Sequence, residues 1–422
     1  MINRTLIPYL LACSVITILF SIHAEAVPSF ARQTGMACTA CHTVFPELTE
    51  FGRSFKINGY TLTGIKQVAA KKSPNAGGLQ FDQIPPLSAM LQTSATHAKS
   101  QQPSSDISLP DELSFFFAGE VSPHLGSFIQ LTMEQGSGFS LDNTDIRYAN
   151  QHGKVTYGVT LNNNPSVQDL WNSTPAWGYP FTHGADLGAP IVADALAQNV
   201  AGLGGYADWG NGFYTELSLY RDTDAFDAPS GVVDASDPTA TQQVRVDGLA
   251  PYWRLAWHKN INNGDTLMIG TYGMRGSLYA TDPAAYYKGP KDKYTDIAVD
   301  TQYEHSLGKS NNSITLHASY SHETQHLDLS MPGISPALNS LRVDGTYHWG
   351  YYAAASLAYA QNSGSSVGNS YDDNAWTAQV SYLPWQNTKF TLQYAAYTKL
   401  GGQSGSAASD NNTLLLQAWL MW

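Results

Sequence analysis

Cysteine is scarce in this chain of 422 residues, which has three: Cys13, Cys38 and Cys41. Cys13 lies in an apolar leader, so the mature protein keeps two, and two cysteines so close together cannot form the framework of a disulfide-stabilised fold. Long hydrophobic runs are also missing after the leader. No run of 18 apolar residues follows it, which excludes a helical membrane protein.

The leader has the pattern of a secretory signal peptide. Arg4 precedes an apolar run over Leu6–Phe20, and Ala24–Ala26 (AEA) forms a small-x-small cleavage site. We therefore expect residues 1–26 to be removed after export. A lipoprotein signal at Cys13 is the alternative, but the apolar run continues beyond that cysteine, unlike the run of a cleaved lipoprotein signal.

Charge is scarce as well. Charged residues make up 13% of the chain, against about 25% in ordinary soluble domains, whereas Tyr (24), Trp (10) and Gly (36) are abundant. The formal net charge of −12 argues against a nucleic-acid partner, because phosphate binding needs a basic surface. Few charges and many aromatic residues suit a protein with a thin band that faces lipid.

From about Pro86 onward, stretches of roughly ten residues alternate between two kinds of side chain, which indicates strands with two different faces. In the stretch SITLHASYS, for example, Leu316 and Tyr320 share one face and His317 lies on the other. The polar faces carry Glu120, Glu134, Arg147, Glu216, Arg254, Asp296, Asp300, Glu304, Arg342 and Asp344. A charged inner face favours a water-filled lumen over a packed core.

The connections between these strands alternate in length. Short turns such as 123–126 and 262–265 alternate with longer polar connections such as 163–197, the rhythm of outer-membrane barrels. Counting the strands predicts an all-β fold over residues 86–422, a 16-stranded transmembrane antiparallel β-barrel integral to the bacterial outer membrane. A secreted β-sandwich is the alternative, but it predicts neither this rhythm nor a final strand ending in Trp422.

Cys38, Cys41 and His42 spell C-x-x-C-H near the start of the mature chain. Two thiols at this spacing can form thioether bonds to a porphyrin, which delivers the histidine to the iron as an axial ligand. A redox dithiol would need a βαβ setting, and a zinc site a second Cys/His pair; the sequence offers neither. We therefore expect one covalently attached haem c.

The sixth ligand of the iron is less sharply indicated. Met90 shares a strand face with Ser88 and Gln92, which we expect to point into the lumen, whereas His97 belongs to the opposite parity. Met and His are both common axial ligands. We predict Met90 as the sixth ligand with His97 as the alternative, and a simple packing role for Met90 stays open.

Residues 27–65 are the predicted cytochrome segment, and residues 66–85, rich in Lys, Gly and Pro, are a linker to the barrel. A segment this short needs support from elsewhere to hold a fold. We expect a small α-helical unit that plugs or caps the lumen. Arg32, Arg53 and Lys56 are candidate partners for the haem propionates, because a cation can offset a buried carboxylate.

The stretch over Pro28–Tyr60, PSFARQTGMACTACHTVFPELTEFGRSFKINGY, followed by a sixteen-stranded barrel, resembles the fused cytochrome-porin family of outer-membrane proteins, which includes iron oxidases of iron-oxidising bacteria. The resemblance implies a monohaem c-type cytochrome, surrounded by outer-membrane lipid, that takes electrons from extracellular Fe(II). It also implies a periplasmic c-type cytochrome as electron acceptor. Two alternatives stay open: a porin-like channel whose haem segment is a plug or gate, and outward electron transfer to an extracellular acceptor.

Overall fold

The computed structural model describes residues 28–62 and 85–422, with gaps at 102, 135, 137, 166–168, 175–189, 193–195, 197–198, 224–225, 228–232, 235–236, 242, 263, 281–288, 309–310, 331 and 366–371. The predicted signal peptide and nearly all of the predicted linker lie outside these residues. In the part of the chain that is described, no helix is long and apolar enough to cross a membrane.

Sixteen long strands make up the body of the protein. They are β1 (Leu87–Ala98), β2 (Ser105–Ser122), β3 (Leu125–Glu134), β4 (Phe139–His152), β5 (Val155–Asn162), β6 (Val200–Trp209), β7 (Phe213–Asp222), β8 (Ala250–Asn262), β9 (Asp265–Ala280), β10 (Lys291–Ser306), β11 (Ser313–Leu327), β12 (Ala337–Trp349), β13 (Ala353–Ser365), β14 (Asp373–Trp385), β15 (Thr388–Leu400) and β16 (Thr413–Met421). Each strand pairs antiparallel with the next, and β16 pairs with β1, with Met421 opposite Met90. The sheet is therefore closed, and the predicted antiparallel barrel is confirmed.

Several strands run further toward the long connections than the sequence pattern predicts. β2 begins at Ser105 and β10 at Lys291, because their backbone groups continue to pair with the neighbouring strands. Pro110 lies within β2, opposite a register shift in β1, where a bulge removes the need for its missing N–H. Pro251 is the second residue of β8, as expected for a proline in a strand.

The outward face of the barrel is apolar. Leu316 of β11 is 45% exposed while its neighbours Thr315 and His317 are buried, as the alternation predicts. Exposed aliphatic side chains on the other strands include Val159, Leu203, Leu217, Ile269, Ile297, Val299, Leu357, Val380, Leu392 and Leu416. Exposed aromatic side chains near the short turns are Trp209, Phe213, Trp349, Tyr351, Tyr352, Tyr382, Trp385 and Trp422. An aliphatic band bordered by aromatic rings is the outer surface of a membrane barrel.

The inward face is charged, as predicted: Arg147, Glu216, Arg254, Asp296 and Asp300 are all buried. The expectation of a lumen filled by water alone needs correction, however. Side chains from the β5–β6 connection and the inner wall form an apolar cluster inside the barrel, which includes Ile191, Val192, Leu196, Tyr220, Tyr252, Tyr272, Met274 and Leu278. Strand periodicity reports which side chains face inward, but it cannot report which connection folds in to meet them.

Within the described residues that precede the barrel, three short helices are present: α1 (Pro28–Thr34), α2 (Cys38–Cys41) and α3 (Glu50–Ile57). Thr49 caps α3, since its side chain accepts a hydrogen bond from the backbone N–H of Gly52 at 3.1 Å. Glu50 lies in the first turn of α3, where its charge suits the helix dipole. A further helix, α4 (Ser406–Ser409), and the short strands Phe226–Asp227, Val233–Asp234, Asp237–Thr241, Gln243–Val246 and Gln403–Ser404 lie in the connections.

Candidate functional site

The segment over residues 28–62, called the N-terminal segment below, lies against the inner wall of the barrel. Its hydrogen bonds reach strands on several sides: Ser29 to Ser88 of β1, Gln33 to Ala118 of β2, Tyr60 to Asp145 of β4, Ile57 to Tyr206 of β6, Arg53 to Glu304 of β10 and Phe45 to Lys389 of β15. Many of these wall residues lie near the short turns. The N-terminal segment therefore lies inside the barrel, toward its short-turn end.

Cys38 and Cys41 are the first and last residues of α2, and neither forms a disulfide. Residues three apart on a helix share one side, so the two sulfurs face the same region. Helix α3 packs closely on this turn: a Cβ added at Gly52 would lie 2.3 Å from the carbonyl oxygen of Cys41. Only glycine permits this backbone approach. The side chain of Gln386, in the β14–β15 turn, accepts from the backbone N–H of Cys38 at 3.0 Å.

His42 follows α2 directly, and its ring is oriented by a backbone group. Nδ1 lies 3.2 Å from the carbonyl oxygen of Glu47, and because a carbonyl only accepts, Nδ1 carries the proton. Burial lowers the pKa of His42 to about 4, so the ring is neutral at ordinary pH. The lone pair is then on Nε2, which is the orientation that protein metal sites impose on a ligating histidine.

The structure brings Met90 to this site. Met90 is buried in one apolar cluster with Cys38, Phe45 and Trp419, and the side-chain amide of Gln92 lies 3.8 Å from its sulfur. His97 is not brought there: it is exposed, its Nδ1 lies 2.9 Å from Ser105 Oγ, and it lies seven positions further along β1 than Met90, a distance of about 23 Å.

A second methionine, Met421, belongs to the same apolar cluster and was missed by sequence reasoning. It lies opposite Met90 where β16 pairs with β1. The alternation in the last strand could have found it, since Leu414, Leu416 and Trp422 face outward and Met421 has the other parity. The cluster thus contains two thioethers on adjacent strands.

The three cations predicted to bind propionates are already engaged by protein groups. Arg53 donates two hydrogen bonds to the carboxylate of Glu304, at 2.9 and 2.6 Å. Arg32 donates to the carbonyl oxygen of Leu87. Lys56 donates to the carbonyl oxygen of Asp169 at 3.4 Å, and burial lowers its pKa to about 8. Arg53 in particular joins the N-terminal segment to the barrel wall, and the prediction for it is corrected accordingly.

Glu47 is a buried acid that sequence reasoning did not single out. Its Oε2 accepts from the Thr43 hydroxyl at 2.7 Å and lies 3.6 Å from Nε2 of His348 in β12. Its Oε1 lies 4.0 Å from Nε2 of His317 in β11. Within the described residues, no group of three or more His, Cys, Asp or Glu side chains is arranged to hold a metal ion. Glu47 therefore acts as a contact between the N-terminal segment and the wall.

Described residues of the connection between β5 and β6 contact the N-terminal segment. The described part of residues 163–181 folds inward, and Trp171 is 3% exposed. The guanidinium of Arg254 lies over the Trp171 ring at 5.0 Å, and the side chain of Asn172 accepts from the backbone N–H of Leu48 at 3.1 Å.

The barrel is similar to several solved porins. OmpF of Salmonella typhi in complex with daunomycin is 12% identical, and the match covers 80% of this chain and 97% of that one with a TM-score of 0.47. The anion-selective porin from Comamonas acidovorans is 11% identical, and the match covers 79% of this chain and 98% of that one with a TM-score of 0.48. The channel DcaP of Acinetobacter baumannii is 10% identical, and the match covers 80% of this chain and 96% of that one with a TM-score of 0.47. No protein-family model and no curated protein matches the chain. At these values the likeness concerns the barrel and says nothing about cargo or cofactor.

Proposed function

We propose that this protein is an outer-membrane c-type cytochrome whose barrel holds one covalent haem c inside the membrane and passes electrons across it. The observation that carries the proposal is the geometry of the C-x-x-C-H motif. Cys38 and Cys41 share one side of α2 without forming a disulfide, and the neutral ring of His42 is held by the Glu47 carbonyl through Nδ1, which leaves the lone pair on Nε2. These residues fit a haem c, and its iron would supply the one-electron chemistry.

The residues of this chain would divide the work as follows. Cys38 and Cys41 would fix the porphyrin, His42 would be the proximal ligand, and Met90 would be the sixth ligand. Phe45 and Trp419, which pack with Met90 in the apolar cluster, would exclude water from the porphyrin faces. A buried, apolar setting and a thioether ligand both favour a high reduction potential.

The position of the site inside the barrel favours electron transfer over solute transport. A bilayer presents a hydrophobic band about 25 Å tall, so a redox centre that serves both sides must lie within the barrier. Here the N-terminal segment contacts the wall on several sides, and described residues of the β5–β6 connection contact it as well. Following the resemblance of Pro28–Tyr60, we propose extracellular Fe(II) as donor and a periplasmic c-type cytochrome as acceptor.

A porin-like channel with a haem plug or gate is the second candidate, and the barrel by itself supports it better than electron transfer. Sixteen strands suffice to enclose an aqueous channel, and a charged inner wall that includes Arg147 and Arg254 is typical of one. This candidate requires that the N-terminal segment leaves or loosens. Outward electron transfer is the remaining alternative, and a haem potential far below that of Fe(II) would favour it.

The deciding experiment uses the full-length protein purified from outer membranes. Haem-dependent peroxidase staining after denaturing electrophoresis should show covalent haem, and Cys38→Ala with Cys41→Ala should abolish it. Stopped-flow mixing with Fe(II) should then show haem reduction, and planar bilayers should show little conductance. Covalent haem that Fe(II) does not reduce would overturn Fe(II) as the electron donor. Large, stable conductance of the haem-loaded protein would favour the porin-like channel as the function.

A further inference from the structure

Four lysine and arginine side chains are buried among the described residues: Arg53, Arg147, Arg254 and Lys389. Each arginine contacts a carboxylate, with Arg53 bound to Glu304 at 2.6 Å, Arg147 to Asp145 at 2.6 Å and Arg254 to Asp300 at 2.7 Å. Lys389 is 2% exposed, and no carboxylate within the described residues lies within ion-pair distance of it. A buried ammonium without a counter-charge is costly, and an anion beside Lys389 would lower that cost.

Lys389 points into the site described above. Its Nζ donates to the carbonyl oxygen of Phe45 at 3.0 Å and lies 4.1 Å from the centre of the Trp419 ring. The Phe45 ring in turn lies 5.4 Å from the ring of His42, centre to centre. The Phe45 carbonyl accepts a hydrogen bond from the ammonium group and the Trp419 ring makes a cation–π contact with it, but neither partner carries a full negative charge. An ammonium has three donor hydrogens, so at least one stays available to a ligand.

We propose that Lys389 is the haem-binding cation of this protein, forming an ion pair with a propionate carboxylate of the haem. The proposal rests on the proposed function, since it requires the haem. Haem carries two carboxylates, and the cluster of Cys38, Phe45 and Trp419 beside Lys389 is apolar, so an ion pair with one propionate would give the buried lysine a counter-charge. Lys389 thereby takes the role that the sequence assigned to Arg32, Arg53 and Lys56.

The ion pair has a measurable consequence for the haem. A positive charge beside the porphyrin stabilises the reduced state, which carries one positive charge fewer than the oxidised state. Replacing Lys389 by glutamine removes that charge and leaves the propionate charge uncompensated. We expect Lys389→Gln to lower the midpoint potential and to shift the propionate bending band in the resonance Raman spectrum, with haem still attached through Cys38 and Cys41.

Two matched variants separate this role from simple packing. Lys389→Arg keeps the charge and should keep the potential near that of the unaltered protein, although the propionate band should move because a guanidinium binds a carboxylate differently. Lys399→Gln removes a lysine at the far end of the same strand, where Lys399 pairs with Asp372, and should change neither quantity.

The possible outcomes test the proposed function and the proposed ion pair separately. Protein without covalent haem would overturn the proposed function. Covalent haem whose potential and propionate band are the same in Lys389→Gln and in the unaltered protein would overturn the ion pair alone. If Lys389→Gln does not insert into the membrane, Lys389→Arg decides: a propionate band that does not move there contradicts the contact.

Discussion

The carbonyl oxygen of Glu47 lies 3.2 Å from Nδ1 of His42, so one residue orients the proposed axial ligand through its backbone. The carboxylate of the same residue faces His348, 3.6 Å away on β12. Glu47 thus has two separable roles, since a side-chain substitution leaves the carbonyl in place. The wall contact and the orientation of His42 can be tested independently.

We expect Glu47→Gln to leave the haem absorption spectrum nearly unchanged and to weaken the attachment of the N-terminal segment to the wall. The carboxylate of Glu47 lies 3.6 Å from Nε2 of His348 and 4.0 Å from Nε2 of His317, and the neutral amide of glutamine removes the charge from both wall contacts. Faster cleavage within residues 28–62 in limited proteolysis would report the loss. Ser54→Ala is the control, since Ser54 is an exposed residue of α3 and its hydroxyl oxygen lies 3.5 Å from Nδ2 of Asn58 in the same segment. A spectrum that changes as much as in a His42 variant would contradict the separation of roles.

Arg53 and Glu304 should show strong coupling. Arg53→Met or Glu304→Met alone leaves an unpaired charge in a buried position and should loosen the N-terminal segment by roughly 3–5 kcal/mol. The double variant should recover most of that loss, because it leaves no unpaired charge. Conductance in planar bilayers is the measurement, with openings expected in the single variants. Arg245→Met is the control: it breaks a more exposed pair with Asp222 and should have a smaller effect on conductance. If the effects of Arg53→Met and Glu304→Met on conductance simply add in the double variant, the two residues do not act as an ion pair.

Gly52 should be indispensable for the packing of α3 on α2. The Cβ of Gly52→Ala would lie 2.3 Å from the Cys41 carbonyl oxygen, so the two helices must separate and the thiols must move. We expect a lower ratio of haem to protein in the purified variant. Gly138→Ala is the control, since a Cβ there meets no atom within 4 Å. Equal haem content in both variants would show that the close approach is not required.

The proposed role of Met90 as sixth ligand can be tested against the same role for Met421 and for His97. Met90→Ala should remove the sulfur-to-iron charge-transfer absorption and lower the midpoint potential, because a thioether ligand raises it. Met421→Ala should reduce packing in the cluster while the ligand absorption remains, and His97→Ala should change nothing. An altered spectrum in Met421→Ala alone would transfer the assignment to the last strand.

Much of the barrel was predictable from the sequence because strand alternation is a local pattern. The inward face of Met90, Ser88 and Gln92 and the outward face of Leu316 follow directly from period two. The reach of the strands beyond the lipid band was not predictable, because it depends on backbone pairing with a neighbour rather than on hydrophobicity. β2 illustrates this, since it carries polar residues from Ser105 onward and still pairs with β1.

The site was only partly predictable, for a related reason. The C-x-x-C-H motif lies within one short helix and the following residue, so its spacing is readable from the sequence alone. The contacts of Lys389 with Phe45 and of Glu47 with His348 join residues more than 300 positions apart. A buried lysine on a strand looks like any lumen-facing polar residue until the segment that covers it is known.

Met90 lies on the first strand of the barrel, whereas Trp419 and Met421 lie on the last. These residues become neighbours only when β16 pairs with β1, which is the step that closes the sheet. A nascent barrel that is still open during insertion into the membrane therefore lacks one wall of the pocket. We therefore expect the barrel and the proposed redox site to be completed in the same event, so a protein arrested before closure would carry the C-x-x-C-H motif without the residues proposed to surround the haem.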